Sequence, residues 1–254
     1  MKRSLPLVFI GLVLPILFSC EKERIEPTTV TESSQSADTN RAPVSKTYAY
    51  TTKSGEVQHF GTAWGELIYV GFQQNLSMEA RKKLLSLFPQ VDRVEGEVGM
   101  DSGMITQVRL KKGTSSREAE CLRALLEKLP VVLFTAPAFD LTLAQDDIYD
   151  WIGLSNEMLV SIEGSGTMAQ LEKLMKKTGT RIVVSYTDEI HVLSLNKNSK
   201  GDVLDICTYL NKSPYITEAV PNFIYQLLPM EQGELNTAPV AQTSASRRSA
   251  QLKR

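Results

Sequence analysis

Apolar and polar positions divide the chain into a leading apolar run, a long polar stretch, two structured blocks and a polar end. Residues 5–18 are almost wholly apolar, and residues 21–45 are rich in Thr, Ser, Glu and Pro. Weak alternation over residues 48–60, around Lys53-Ser54-Gly55, predicts a small hairpin. Residues 67–72 read as a strand, and Ser77 is placed to cap a helix whose inner face carries Leu84, Leu85, Leu87 and Phe88, up to Pro89. Residues 91–98 and 104–110 alternate as two strands about the turn Met100-Asp101-Ser102-Gly103. Ser115-Ser116-Arg117-Glu118 has the form of a capping box, and the helix after it buries Ala119, Leu122, Leu125, Leu126 and Leu129 at three- and four-residue spacing. Pro130 stops that helix.

The second block repeats this order. Residues 158–162 form a strand, Thr167-Met168-Ala169-Gln170 a second capping box, and Met168, Leu171, Leu174 and Met175 the inner face of a helix ending at Gly179. Residues 182–186 and 190–195 make a hairpin around Asp188, and a helix over Val203, Ile206 and Leu210 ends before Pro214. Gapless self-alignment places Pro130, Pro137 and Phe139 on Pro214, Pro221 and Phe223 at one constant spacing, the mark of a duplicated unit. A proline inside a strand run confines it to a sheet edge, so both copies are expected to close on an edge strand. The β-α-β-β-α-β order predicts an α+β chain of two tandem ferredoxin-like units, antiparallel sheets with helices on one face.

The resulting division is a signal peptide over residues 1–20, a disordered tether over 21–45, a first repeat over 46–143, a linker over 144–157, a second repeat over 158–229 and a disordered tail over 230–254. Ile148, Tyr149, Trp151 and Ile152 are too apolar for a loose linker and are expected to pack between the units. Lys2 and Arg3 ahead of the apolar run, and Ser19 before Cys20, resemble the bacterial lipoprotein signal, in which the cysteine becomes the lipidated N-terminus. The apolar run is shorter than the roughly 20 residues that span a bilayer, which argues for lipid anchoring at Cys20 over a spanning helix. Glu21-Lys22-Glu23 resembles the acidic export tag of surface lipoproteins. The expected address is therefore the cell envelope, as an outer-membrane lipoprotein exposed at the surface or facing the periplasm.

Composition and candidate chemistry narrow the function. With 28 basic and 29 acidic residues the net charge is −1, which offers no field for nucleic acid. Cys121 and Cys207 are expected as buried free thiols, the alternative being a disulfide, which would need their Cα atoms within roughly 7 Å. Gly164-Ser165-Gly166-Thr167-Met168-Ala169 has dinucleotide-loop spacing, but the next strand returns through a hairpin, whereas a dinucleotide fold needs parallel strands. The two histidines, His59 and His191, stand without a G-x-S-x-G or a carboxylate cluster, so neither hydrolysis nor a zinc site is expected. Asp146-Asp147 and Asp188-Glu189 read as turn residues. No enzyme activity, metal or cofactor is expected.

Residues 154–162, Leu171-Glu172-Lys173-Leu174 and residues 215–225 resemble the propeptide of subtilisin-like serine proteases, fervidolysin-type included. In that family the prodomain ends on a V-x-x-A-x-P-N-Y phrase. Ile216, Ala219, Pro221, Asn222 and Phe223 match it, with Val220 in place of the usual acid. The resemblance implies a module that templates or inhibits a protease, its sheet packed on the enzyme's helices and its C-terminal segment lying in the substrate cleft by strand addition. Carried onto this sequence, the contacting residues are Asn222, Tyr225, Gln226, Leu227, Leu228, Pro229 and Met230. The protease's own catalytic blocks are not in the sequence, which implies a free-standing inhibitor or chaperone, or a prodomain severed from its enzyme. The alternative expectation is a surface docking or adhesion module unrelated to proteolysis.

Overall fold

The computed structural model describes residues 46–141 and 151–225. The expected signal peptide with Cys20, the expected tether and tail, Ile148 and Tyr149, Asp146-Asp147 and residues 226–230 lie outside the described residues. The architecture is mixed α+β. An opening hairpin, β1 (Thr47–Thr51) and β2 (Val57–Thr62), precedes β3 (Leu67–Phe72), α1 (Met78–Leu85), β4 (Val91–Met100), β5 (Gly103–Leu110), α2 (Ser116–Glu127) and β6 (Val132–Asp140). The second half comprises β7 (Trp151–Ser161), α3 (Met168–Thr178), β8 (Arg181–Ser185), β9 (Ile190–Ser194), α4 (Val203–Asn211) and β10 (Glu218–Tyr225). Every strand pairing among the described residues is antiparallel. No helix among them is long and apolar enough to cross a membrane.

Helix starts are set by local chemistry. Ser77 Oγ accepts from the Ala80 amide, and Ser115 and Glu118 cap each other's backbone N–H as the spacing predicts. Asp202 and Asp205 form a third such box on α4. Gly179 closes α3 at φ +71, the left-handed conformation that glycine reaches without strain. The inner faces are narrower than the leucine pattern suggests: Leu87 is 73% exposed, and Leu125 and Met168 also face outward, because α1 stops at Leu85 and one turn of helix can bury only one stripe.

Eight strands form one sheet, with the path β4-β5-β3-β6-β7-β9-β8 and β10 on β7. Gly153 pairs with Ala138 of β6 and with Ile224 of β10, so those strands lie on opposite edges of β7. Residues 158–161 pair with β9 and β10 in the same way. Strands β6 and β9 therefore share one edge of β7, end to end, and β10 runs along the other.

Two expectations are corrected here. Strand β7 begins at Trp151, so the segment from Trp151 to Glu157 is strand, not linker, and Trp151 and Ile152 are buried as strand residues. Strand β6 is also not an edge. It pairs with β3 through residues 132–137 and with β7 through 138–140. The Ala138 carbonyl turns to the Trp64 N–H on the β3 side, at 2.8 Å, so by alternation the Pro137 nitrogen turns to the other edge, where the pairing with β7 has stopped. No ladder bond is lost, and the proline sits inside the sheet.

Two apolar clusters fill the molecule. One lies between the first-half sheet and helices α1 and α2, around Ile68, Val70, Phe72, Val108, Leu122 and Leu126. The larger combines the opposite face of that sheet, through Tyr69, Ile105 and Phe134, with the second half around Trp151, Met158, Leu171, Leu204 and Leu210. The β1–β2 hairpin straps the halves together. Tyr48 OH donates to Glu120 and accepts from Arg123 on α2, while Thr51 takes up Thr208 and Asn211 on α4. Lys46 pairs with Asp202 at the start of α4. Burial pushes that carboxyl up, but Lys46 and the Asp205 amide outweigh it and hold it below the ordinary range.

Candidate functional site: the β7 bulge and the edge of β10

Strand β7 does not run evenly beside β10. Pro221 pairs with Met158 and Phe223 with Leu154, so Ser155, Asn156 and Glu157 together oppose Asn222 alone. A bulge of this kind bends its strand and takes side chains out of the ladder. It falls where the other edge of β7 changes partner, from β6 to β9. The three residues are polar and buried, with Glu157 0% exposed, so each needs hydrogen-bond partners to offset desolvation. Ser155 Oγ donates to the Asn222 carbonyl and accepts from the Glu157 amide, at 3.0 Å for the latter. The Asn156 carbonyl accepts from the Leu195 amide at 2.9 Å, and its Nδ2 donates to the Leu195 carbonyl at 3.2 Å.

Glu157 reaches the other half of the molecule. Its Oε1 accepts from the Ser102 amide at the tip of the β4–β5 hairpin, and its Oε2 from Asn222 Nδ2 at 3.3 Å. Ser102 Oγ donates to Asn156 Oδ1 at 3.1 Å. Strands β3 and β6 stand between β5 and β7, so in a flat sheet the tip would sit about 14 Å from β7. Direct contact requires the sheet to curl until the tip meets the bulge. Tyr186, after β8, completes the junction by donating to Asp101 Oδ2 at 3.2 Å. Burial is the main cause that pushes the Glu157 carboxyl up, and Asp101 adds to it, against the donors Ser102 and Asn222. Burial and Asp101 also raise Tyr186.

Strand β10 has β7 as its one strand partner among the described residues. At Ala219 the edge facing away from β7 is covered by a side chain, because Asn211 at the end of α4 accepts from the Ala219 amide (2.8 Å) and donates to its carbonyl (2.9 Å). One carboxamide thus makes both bonds a neighbouring strand would make. By alternation Pro221 also turns its nitrogen outward, where no ladder bond is asked of it. Here the proline does mark an edge.

The predicted contact residues divide. Tyr225 is the last residue of β10 and 37% exposed, with Ile152 opposite it. Asn222 is half-buried, and its carboxamide faces inward to Glu157. The bulge residues were missed: in the sequence Ser155-Asn156-Glu157 looks like the polar end of a linker, and its one signal is three polar residues between the apolar runs 151–154 and 158–160.

Other candidates resolve locally. The Gly164–Gly166 turn follows β7, and a Cβ on Gly166 would lie 2.2 Å from the Tyr215 carbonyl oxygen, so this glycine serves close packing. Thr187 Oγ1 caps the amides of Glu189 and Ile190, which makes 187–190 a turn as expected. His59 is exposed on β2. His191 is buried, with Nδ1 2.8 Å from Ser185 Oγ and Nε2 without a hydrogen-bond partner among the described residues, so it is only half satisfied. Cys207 is buried and its thiol is pushed up by that burial, but Cys121 lies on the outer face of α2, against expectation, and both are free. Among the described residues no three His, Cys, Asp or Glu side chains gather as a metal site would require. No protein-family model matches the chain, and no curated protein matches it.

Proposed function

We propose that the chain is a lipid-anchored, non-catalytic binding protein of two tandem ferredoxin-like units that docks on and inhibits a subtilisin-like serine protease. The observation that carries this reading is the edge of β10: the strand pairs with β7 alone among the described strands and leads directly into residues 226–230, the segment the propeptide resemblance assigns to the cleft. An extended segment continuing from a sheet edge can add to a partner's backbone, with alternate side chains for specificity. The duplication is supported by the strand order of each half, second-third-first-fourth in both: β4-β5-β3-β6 and β8-β9-β7-β10. It is supported also by matching N-caps, Ser77 and Ser115 against Thr167 and Asp202.

A second reading, a surface docking module unrelated to proteolysis, has its own support. The sheet face a propeptide would lay on protease helices is closed at β7, where Ser155 and Glu157 are buried and the tip of the first half is seated. The test is inhibition of a panel of subtilisin-like proteases by the purified protein at micromolar concentration, with and without residues 226–254. The proposal expects slowing by the full chain and none by the truncated one. Undiminished inhibition after truncation would rule out cleft filling, and no inhibition of any enzyme would favour the second reading.

A further inference from the structure

The junction at the bulge contains more than packing requires. A carboxyl group with 0% exposure holds three elements at once: the bulge of β7 on which it sits, the β4–β5 tip through the Ser102 amide, and β10 through Asn222. The titratable groups facing it are Asp101, on the same tip, and Tyr186, on the β8–β9 turn. Its hydrogen-bonding neighbours Ser102 and Asn222 carry no charge. Among the described residues the buried carboxylate makes no ion pair, and a like charge, Asp101, lies beside it.

We infer that Glu157 is a proton-operated pin: protonation seats the β4–β5 tip more firmly on the β7 bulge, and ionisation loosens that seat together with the Asn222 end of the β10 edge. The direction follows from the physical chemistry of the site. Burial, with Asp101, disfavours the anion and outweighs the Ser102 and Asn222 donors that favour it, so the folded carboxyl takes up a proton more readily than in the unfolded chain. The closed junction therefore gains stability as pH falls through the folded value. The gain is complete below the unfolded value of about 4.3, and it is lost as pH rises through the folded value. The device lies in the two-half fold, and it would adjust the β10 edge whatever partner that edge meets.

Amide hydrogen exchange of the full chain, without any protease, tests the inference at Ser102 and along β10. After correction for intrinsic rates, protection of the wild-type Ser102 amide should rise as pH is lowered from 7.5 toward the unfolded value of about 4.3, by at most about tenfold per pH unit, the limit for one proton. The nearly isosteric E157Q should show protection independent of pH. D101N should keep the response and move its midpoint to lower pH, because the like charge is gone. A flat wild-type profile, a wild-type response in E157Q, or an unmoved midpoint in D101N would each overturn it. D101N still decides the matter if E157Q fails to fold. Since no partner enters the measurement, its failure leaves the inhibition proposal standing, and the reverse also holds.

Discussion

Replacing Asn211 by alanine should cost about 3 kcal/mol of folding stability. The side chain is 6% exposed and makes three hydrogen bonds: from Nδ2 to the Thr51 carbonyl at 2.9 Å, from Nδ2 to the Ala219 carbonyl at 2.9 Å, and from the Ala219 amide to Oδ1 at 2.8 Å. Each bond is worth about 1 kcal/mol net, and the truncation leaves three backbone groups to find water. For a folded region of this size that loss lowers Tm by about 6–12 °C. N211D keeps the acceptor but loses both donors and points a charge at two carbonyls, so it should do no better. Equilibrium urea unfolding of the full chain measures the loss, and exchange at the Ala219 amide places it. A change under about 0.5 kcal/mol, or an Ala219 amide as protected as in wild type, would refute the view that this carboxamide replaces a missing strand.

Three further outcomes follow from particular contacts. G153A places a Cβ 2.2 Å from the ring of buried Tyr69, where β3 packs over β7, and should cost about 1–3 kcal/mol, whereas G96A, with nothing within 4 Å, should be neutral or slightly stabilising; equal melting temperatures would contradict this packing of the halves. Y48F removes the hydroxyl between Glu120 and Arg123 and should cost about 2 kcal/mol in urea unfolding, since both bonds involve ionised partners; no loss would mean that the strap does not clamp α2. A thiol reagent applied to the native protein should react at Cys121 and not at Cys207, so C121S lowers the native thiol count by one and C207S leaves it unchanged.

Local rules made most elements legible. Ser115 with Glu118 announces α2, Gly179 ends α3, the apolar run 67–72 gives β3, and alternation marks β4 and β5 within a residue or two. What sequence reasoning lost depends on contacts distant in the chain. Leu87 and Leu125 fit a helical stripe but lie outside it, because the width of the buried face is set by the sheet and not by the helix. Ser155, Asn156 and Glu157 interrupt an apolar strand, and only the change from β6 to β9 along β7, with Ser102 arriving from more than fifty positions away, makes burying them tolerable. The candidate site was half legible: β10 and its proline could be found by self-alignment, but the inward turn of Asn222 could not.

The two proline-bearing strands show why one motif serves two ends. Pro137 and Pro221 both turn the nitrogen away from the ladder that holds their strand, a consequence of pleat alternation at equivalent positions. In β6 the residues just after the proline, Ala138 to Asp140, meet β7 on that side and close it. In β10 the matching side has the Asn211 carboxamide at Ala219 and no described strand beyond Pro221. The motif thus supplies a strand that can accept a neighbour only downstream of its proline, and the presence of β7 decides whether that offer is taken up within the chain. In the first half it joins the halves. In the second half it stays at the sheet edge, next in sequence to residues 226–230, and the bulge at Glu157 orders the same stretch of β10 from its other side; if the proposed docking holds, it is this strand that carries it.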